Sequence, residues 1–104
     1  MEYAMITITA IIRTKQGHDS VMKDALLDVA KHVQADEPQT IDFYISQDMN
    51  DPCVFTTYER FTSVEAMEQH NSSEAVAKFF DIAKPILSEK VILVSSQEIS
   101  SKIR

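Results

Sequence analysis

The sequence predicts an α+β fold of the ferredoxin-like kind, a four-stranded antiparallel sheet in the order β-α-β-β-α-β with its helices on one face. Three observations carry this reading. Residues 3–13 alternate with period two, residues 19–35 repeat their apolar positions at helical spacing, and two strand-like runs around a turn precede a second helical stretch and a last strand.

The first strand places Ala4, Ile6, Ile8, Ala10 and Ile12 on one side and Tyr3, Met5, Thr7, Thr9, Ile11 and Arg13 on the other, with "TKQG" as the turn after it. In the first helix Met22, Ala25, Leu26, Val29, Ala30 and Val33 make one stripe, and Asp19 or Ser20 is the expected N-cap. Pro38 disfavours helical geometry at Glu37, so the helix ends at "DEPQT". "TIDFYISQD" and "CVFTTYERF" read as a hairpin across the turn "MNDP", whose side chains bend the chain through their own hydrogen bonds. Thr62 and Glu65 form an expected capping box, and Ser72 or Ser73 is expected to cap the helix that buries Val76, Phe79, Phe80 and Ala83. The second helical stretch is therefore broken near His70. Pro85 ends or kinks it, and "EKVILVSSQEI" is the last strand.

Length and composition limit the functions available. The 104 residues suit one domain spanning 1–104. A chain of this size buries roughly 65% of its unfolded surface, enough for one core but not for a large closed cavity as well. The net charge of −6 repels phosphate backbones and argues against nucleic-acid binding. The lone Cys53 excludes an internal disulfide and a Cys-based zinc site, and fits a reducing compartment. The apolar start opens with Glu2 and alternates like a strand, unlike a signal peptide, and nothing approaches the roughly 18 apolar residues of a membrane span. A cytoplasmic location is expected. The single glycine, Gly17, rules out the glycine-rich loops that cradle nucleotides.

The last strand is apolar on both faces, since Val91 and Leu93 alternate with Ile92 and Val94. A sheet apolar on both faces needs cover on both. Helices supply one, and a second copy of the same sheet is the expected cover for the other. A homodimer through the open sheet face, closing into a barrel with the helices outside, is therefore expected.

The run Asp51-Pro52, Phe55, Tyr58-Glu59 and Phe61, followed by "SVEAMEQH" and "SSEAVAKF", resembles the antibiotic biosynthesis monooxygenase (ABM) family, and "EPQTIDFY" is similar to that family's segment between first helix and second strand. The resemblance covers about residues 5–95. It implies a dimeric α+β barrel, with a pocket between sheet and helices touched by Phe55, Glu59, Phe61 and His70. Family members include cofactor-independent oxygenases of phenolic or quinol substrates, haem-degrading enzymes and isomerases. The chain departs from the family's frequent Trp at Phe61, its second His at Ala75 and its usual Gly at Gln39. Lacking Trp, it fits the haem-degrading branch poorly.

His70 continues the spacing of Val64 and Met67, so its ring should lean inward, where an ordinary pKa of ~6.5 suits proton transfer. The alternative is a helix-end histidine bonded to exposed carbonyls. Glu59 shares a strand face with Phe55, Thr57 and Phe61, while Arg60 points away. It is either a pocket base or anchor for His70, or a structural acceptor at a helix N-terminus. Tyr44 and Phe79 are possible substrate walls, although they, with Phe43, Tyr58 and Phe80, also suit a core. His18 and His32 are expected in solvent. No metal-ligand spacing appears, and neither metal nor cofactor is expected. The leading expectation is a cofactor-free monooxygenase acting on a small aromatic, phenolic or quinol-type substrate, with His70 and Glu59 as catalytic groups and Phe55, Phe61, Tyr44 and Phe79 around the substrate. The alternatives are a non-catalytic small-ligand-binding or stress-response protein, and an isomerase on the same scaffold.

Overall fold

The structure, a computed structural model, describes residues 5–103. Tyr3 and Ala4, assigned above to the first strand, lie outside them. The elements run β1 (Ile6–Arg13), α1 (Asp19–Asp36), β2 (Thr40–Gln47), β3 (Val54–Phe61), α2 (Val64–Asn71), α3 (Glu74–Ala83), a 3-10 turn (Lys84–Ile86) and β4 (Ile92–Gln97). The sheet order is β2-β3-β1-β4, with every neighbouring pair antiparallel. This is the predicted ferredoxin-like α+β fold, with its second helical stretch split in two.

The alternation in β1 decides which side faces the helices. Ile8, Ala10 and Ile12 are buried beneath them, and Phe55, Thr57, Glu59 and Phe61 of β3 are buried on the same face. The larger core cluster joins Ile12 and Phe55 to Met22, Leu26 and Val29 of α1 and to Val76 and Phe79 of α3. A smaller one joins Ile8 and Phe61 to Ala66 of α2. The stretch of β3 between Phe55 and Phe61 therefore crosses from one cluster to the other, and its inward residues there are the polar Thr57 and Glu59.

Several local expectations change. His18 occupies the N-cap position of α1 without a side-chain cap, so neither Asp19 nor Ser20 caps it. Ser63, not Thr62, caps α2 by accepting from the Ala66 amide; the Thr62 hydroxyl instead donates to Gln39. Ser73 caps α3 by accepting from the Val76 amide. The inward line of α2 is Ala66 and His70, one turn apart, while Val64 is exposed. Phe80, expected in the core, is 37% exposed, because α3 turns it toward the β4 edge. β4 is shorter than expected and exposed along its whole length.

Two loop features position the site. In the β2–β3 turn one carboxylate oxygen of Asp48 accepts from the amides of Asn50 (3.0 Å) and Asp51 (2.9 Å), which holds the hairpin closed. In β2 a bulge between Thr40 and Asp42 adds one residue to the strand. Asp42 therefore pairs with Arg60 on the outer face, and Phe43 pairs with Glu59 on the inner face.

Candidate functional site

The last turn of α2 carries His70 inward, and its ring is 5% exposed. Phe43 and Phe61 flank the imidazole, with centroids at 5.6 and 5.3 Å. These aromatic walls leave only the two ring nitrogens able to bond. Nδ1 donates to Oε1 of Glu37 at 2.8 Å, and Nε2 lies 3.3 Å from Oε1 of Glu59. Glu59 is 6% exposed; its Oε2 accepts from the Thr57 hydroxyl at 2.8 Å, and its Oε1 has no aligned hydrogen bond. Glu59 does not bond a helix N-terminus. It faces His70, and Arg60 points to the other side of the sheet, where it pairs with Asp42 at 2.6 Å and Glu98 at 2.9 Å.

Glu37 takes a place beside His70 that its sequence position did not reveal. It closes α1, donating its amide to the Val33 carbonyl, and the following Pro38 holds it out of the helix. Its Oε1 also accepts from the Thr40 hydroxyl at 2.7 Å. Its Oε2 lies 2.9 Å from Nε2 of His32, whose Nδ1 lies 3.4 Å from Asp36. His32, expected in solvent, is thus paired with two carboxylates at the C-terminal end of α1, although its side chain keeps 28% of its surface exposed. It is a second imidazole beside the site, and it comes from α1 instead of from position 75. Proline after Glu37 was the one visible signal, because it marks a residue whose side chain leaves the helix axis.

Burial by itself would lower the His70 pKa, but the close Glu59 carboxylate and then the hydrogen bond and charge of Glu37 outweigh it and hold the imidazole above its ordinary value. Two carboxylates around one imidazole, Glu59 buried and Glu37 partly buried, both favour the charged ring.

Against this polar group lies an apolar cavity of about 60 Å³. Ile8, Ala10 and Leu26 form part of its floor and walls, with Phe43, Val76 and Phe79 completing them around Glu59 and His70. Its mouth lies toward β4, where Phe80 and Leu93 are half exposed. Of the substrate walls expected from sequence, Phe79 lines this cavity. Phe61 backs the His70 ring and Phe55 belongs to the packed core; neither reaches the cavity surface. Tyr44 is corrected outright. The bulge leaves it on the outer face, 58% exposed and stacked on Tyr58 at 6.4 Å. A polar cleft of about 260 Å³ lies on the opposite side of His70, bordered by His32, Asp36, Glu37, Gln69 and Ser73.

An antiparallel sheet with helices on one face, an apolar cavity between the layers and one buried histidine between carboxylates define a small α+β pocket protein. The sequence model described as antibiotic biosynthesis monooxygenase matches residues 5–82, and the chain belongs to that family. The fold is shared with solved structures of low sequence identity. A Caulobacter crescentus protein named for the antibiotic biosynthesis monooxygenases superposes with a TM-score of 0.86 at 16% identity, covering 94% of this chain and 92% of its own. A Nitrosomonas europaea protein named in the same way gives 0.83 at 18% identity, with 95% and 94% covered. A Pseudomonas aeruginosa protein gives 0.84 at 21% identity, with 96% and 98% covered. No curated protein matches the chain. No helix among the described residues is long and apolar enough to cross a membrane.

Proposed function

We propose that the protein is a cofactor-independent monooxygenase of a small phenolic or quinol-type ring. The observation that carries this reading is Glu59 Oε1, a buried carboxylate oxygen without an aligned hydrogen bond, beside His70 Nε2 at an apolar cavity. A ring seated there presents its hydroxyl to this pair, while Phe79 and Val76 keep water away. Glu59 and His70 take the hydroxyl proton as one base. The resulting anion is electron-rich enough to pass an electron to molecular oxygen. Recombination places one oxygen atom on the ring, and the other leaves as water. The balance closes for a phenol that ends as a quinone, because phenol plus O2 gives quinone plus water and all electrons come from the ring. The protein supplies base, orientation and a dry site. The active unit is a homodimer joined through the outer sheet face.

Oxygen uptake with a panel of phenols and quinols tests this. His70→Ala should lower the rate by about 10²-fold or more, the usual contribution of a positioned base. Equal rates in variant and wild type would overturn the mechanism. A second reading is favoured by the same geometry, because Glu59 and His70 are two proton-transfer groups on one cavity. That arrangement suits an isomerase, which would convert its substrate without consuming oxygen. Saturable binding with neither reaction would identify a non-catalytic binder.

A further inference from the structure

A base buried at a dry cavity can exchange protons with bulk water only along a chain of polar groups. His70 separates the two voids described above, with its Nε2 side at the apolar cavity and its Nδ1 side at the polar cleft. From Nδ1 the contacts continue without a break: 2.8 Å to Glu37 Oε1, then 2.9 Å from Glu37 Oε2 to His32 Nε2, and His32 is part-exposed at the cleft. Glu37 Oε2 is buried without an aligned hydrogen bond, and His32 Nε2 is the polar atom nearest to it in this network.

We propose that Glu37 and His32 form a proton path between His70 and the cleft, along which the ring gives up a proton during turnover and regains one at its end while the cavity stays closed to water. The proposal rests on His70 acting as a base, as in the reading above. His70 gains a proton at Nε2 and releases one at Nδ1 to Glu37 Oε1. A turn of the carboxyl group about its Cγ–Cδ bond presents that proton to His32 Nε2, and His32 loses one at Nδ1 to solvent or Asp36. When the second oxygen atom leaves as water, Nε2 gives its proton to it and Nδ1 regains one along the same path in reverse, so the ring returns to its starting tautomer and no net proton leaves the site. Each step breaks one N–H or O–H bond and forms another, and no electron moves. Neither Glu37 nor His32 lines the cavity, so both act through His70.

The groups that face His70 and His32 come from several elements. Glu59 and Thr57 of β3 and Glu37 after α1 face His70, and the Phe43 and Phe61 rings close its flanks. From α3, the Ser73 amide donates to the His70 backbone carbonyl. His32 is faced by Asp36 and Glu37.

The first test needs no substrate. Nitrogen-15 NMR of the full chain follows exchange of the His70 Nδ1 proton with water. His32→Gln should slow that exchange by about 10²-fold or more, the scale on which positioned proton-transfer groups act. Glu37→Gln, which keeps the shape and cannot pass a proton, should slow it as well. Unchanged near-ultraviolet circular dichroism shows that the fold is intact, and added imidazole should restore exchange in His32→Gln. Wild-type exchange in His32→Gln would overturn the proposal. The second test uses any substrate found by oxygen uptake. There His32→Gln should lower kcat with KM unchanged, and imidazole buffer should rescue it. Exchange that depends on His32 in a protein that turns nothing over would uphold the path and sink the monooxygenase reading. Turnover that depends on His70 but neither on His32 nor on imidazole would do the reverse.

Discussion

At the scale of the residue, the chemistry turns on the balance around His70. Burial disfavours the imidazolium, Glu59 and Glu37 favour it, and the carboxylates win. A reaction that needs neutral His70 should therefore rise with pH along a limb centred above the ordinary ~6.5 of histidine. Glu59→Gln should move that limb and the NMR titration of His70 to lower pH, because it removes the largest favourable influence on the charged ring. The stability consequence has a definite sign. A group with a raised folded pKa contributes stability that is fully present below ~6.5 and is lost as pH rises through the folded value. Glu59→Gln should thus be most destabilising below pH ~6.5 and progressively less so above it, as urea midpoints at several pH values would show. The inward lean of His70 was expected on a stripe with Val64 and Met67, whereas Ala66 is the residue that shares its buried line; strand alternation gave the face of Glu59 but left open whether it meets His70 or a helix N-terminus. Glu37 was not legible in sequence, because its contact with His70 joins positions 33 residues apart, a separation no local pattern encodes.

At the scale of the element, His70 is held by the ends of two short helices. α2 and α3 have 8 and 10 residues, too short to be stable alone, so their caps count. Ser73→Ala removes the acceptor for the Val76 amide and should cost about 1 kcal/mol. Thr62→Ala should cost less, because Ser63 performs the capping and the Thr62 hydroxyl only meets an exposed Gln39 side chain. Chemical denaturation of the two variants checks the order. A larger loss for Thr62→Ala would mean that Ser63 is not the working cap. The existence and sequence of the elements were readable because apolar periodicity alone determines which face is buried. The cap was not, since Thr62 and Ser63 are adjacent hydroxyls and Glu65 drew the pattern to the wrong one. The bulge at residues 40–42 was equally silent. Strict alternation places Tyr44 on the same side as Asp42 but gives no warning that an extra residue decides whether that side is the pocket.

At the scale of the whole molecule, the outer face of the sheet carries an exposed apolar strip. Ile92 and Val94 of β4 are 46% and 51% exposed there, and Ile11, Tyr58 and Tyr44 extend the apolar strip across β1, β3 and β2. The main charge on this face is already answered within the chain, since Arg60 bridges Asp42 and Glu98 and the pairing holds its guanidinium well above the usual range. A second copy could cover the strip without orphaning that charge, and a contact of about 800 Å² per partner would be ordinary for a stable pair. The protein should therefore sediment at micromolar concentration at twice the 11.8 kDa of one chain. Val94→Arg puts a charge in the middle of the strip, opposite the polar Thr9, and should leave a folded monomer. A wild type sedimenting as one chain would remove the dimer. Because Leu93, at the cavity mouth, is the immediate neighbour of Val94 on the same edge strand, a dimer of the proposed kind and substrate entry to the proposed site would share that strand. Loss of the dimer should therefore raise KM for any substrate before it lowers kcat, since His70 and its carboxylates lie on the far side of the sheet from the interface.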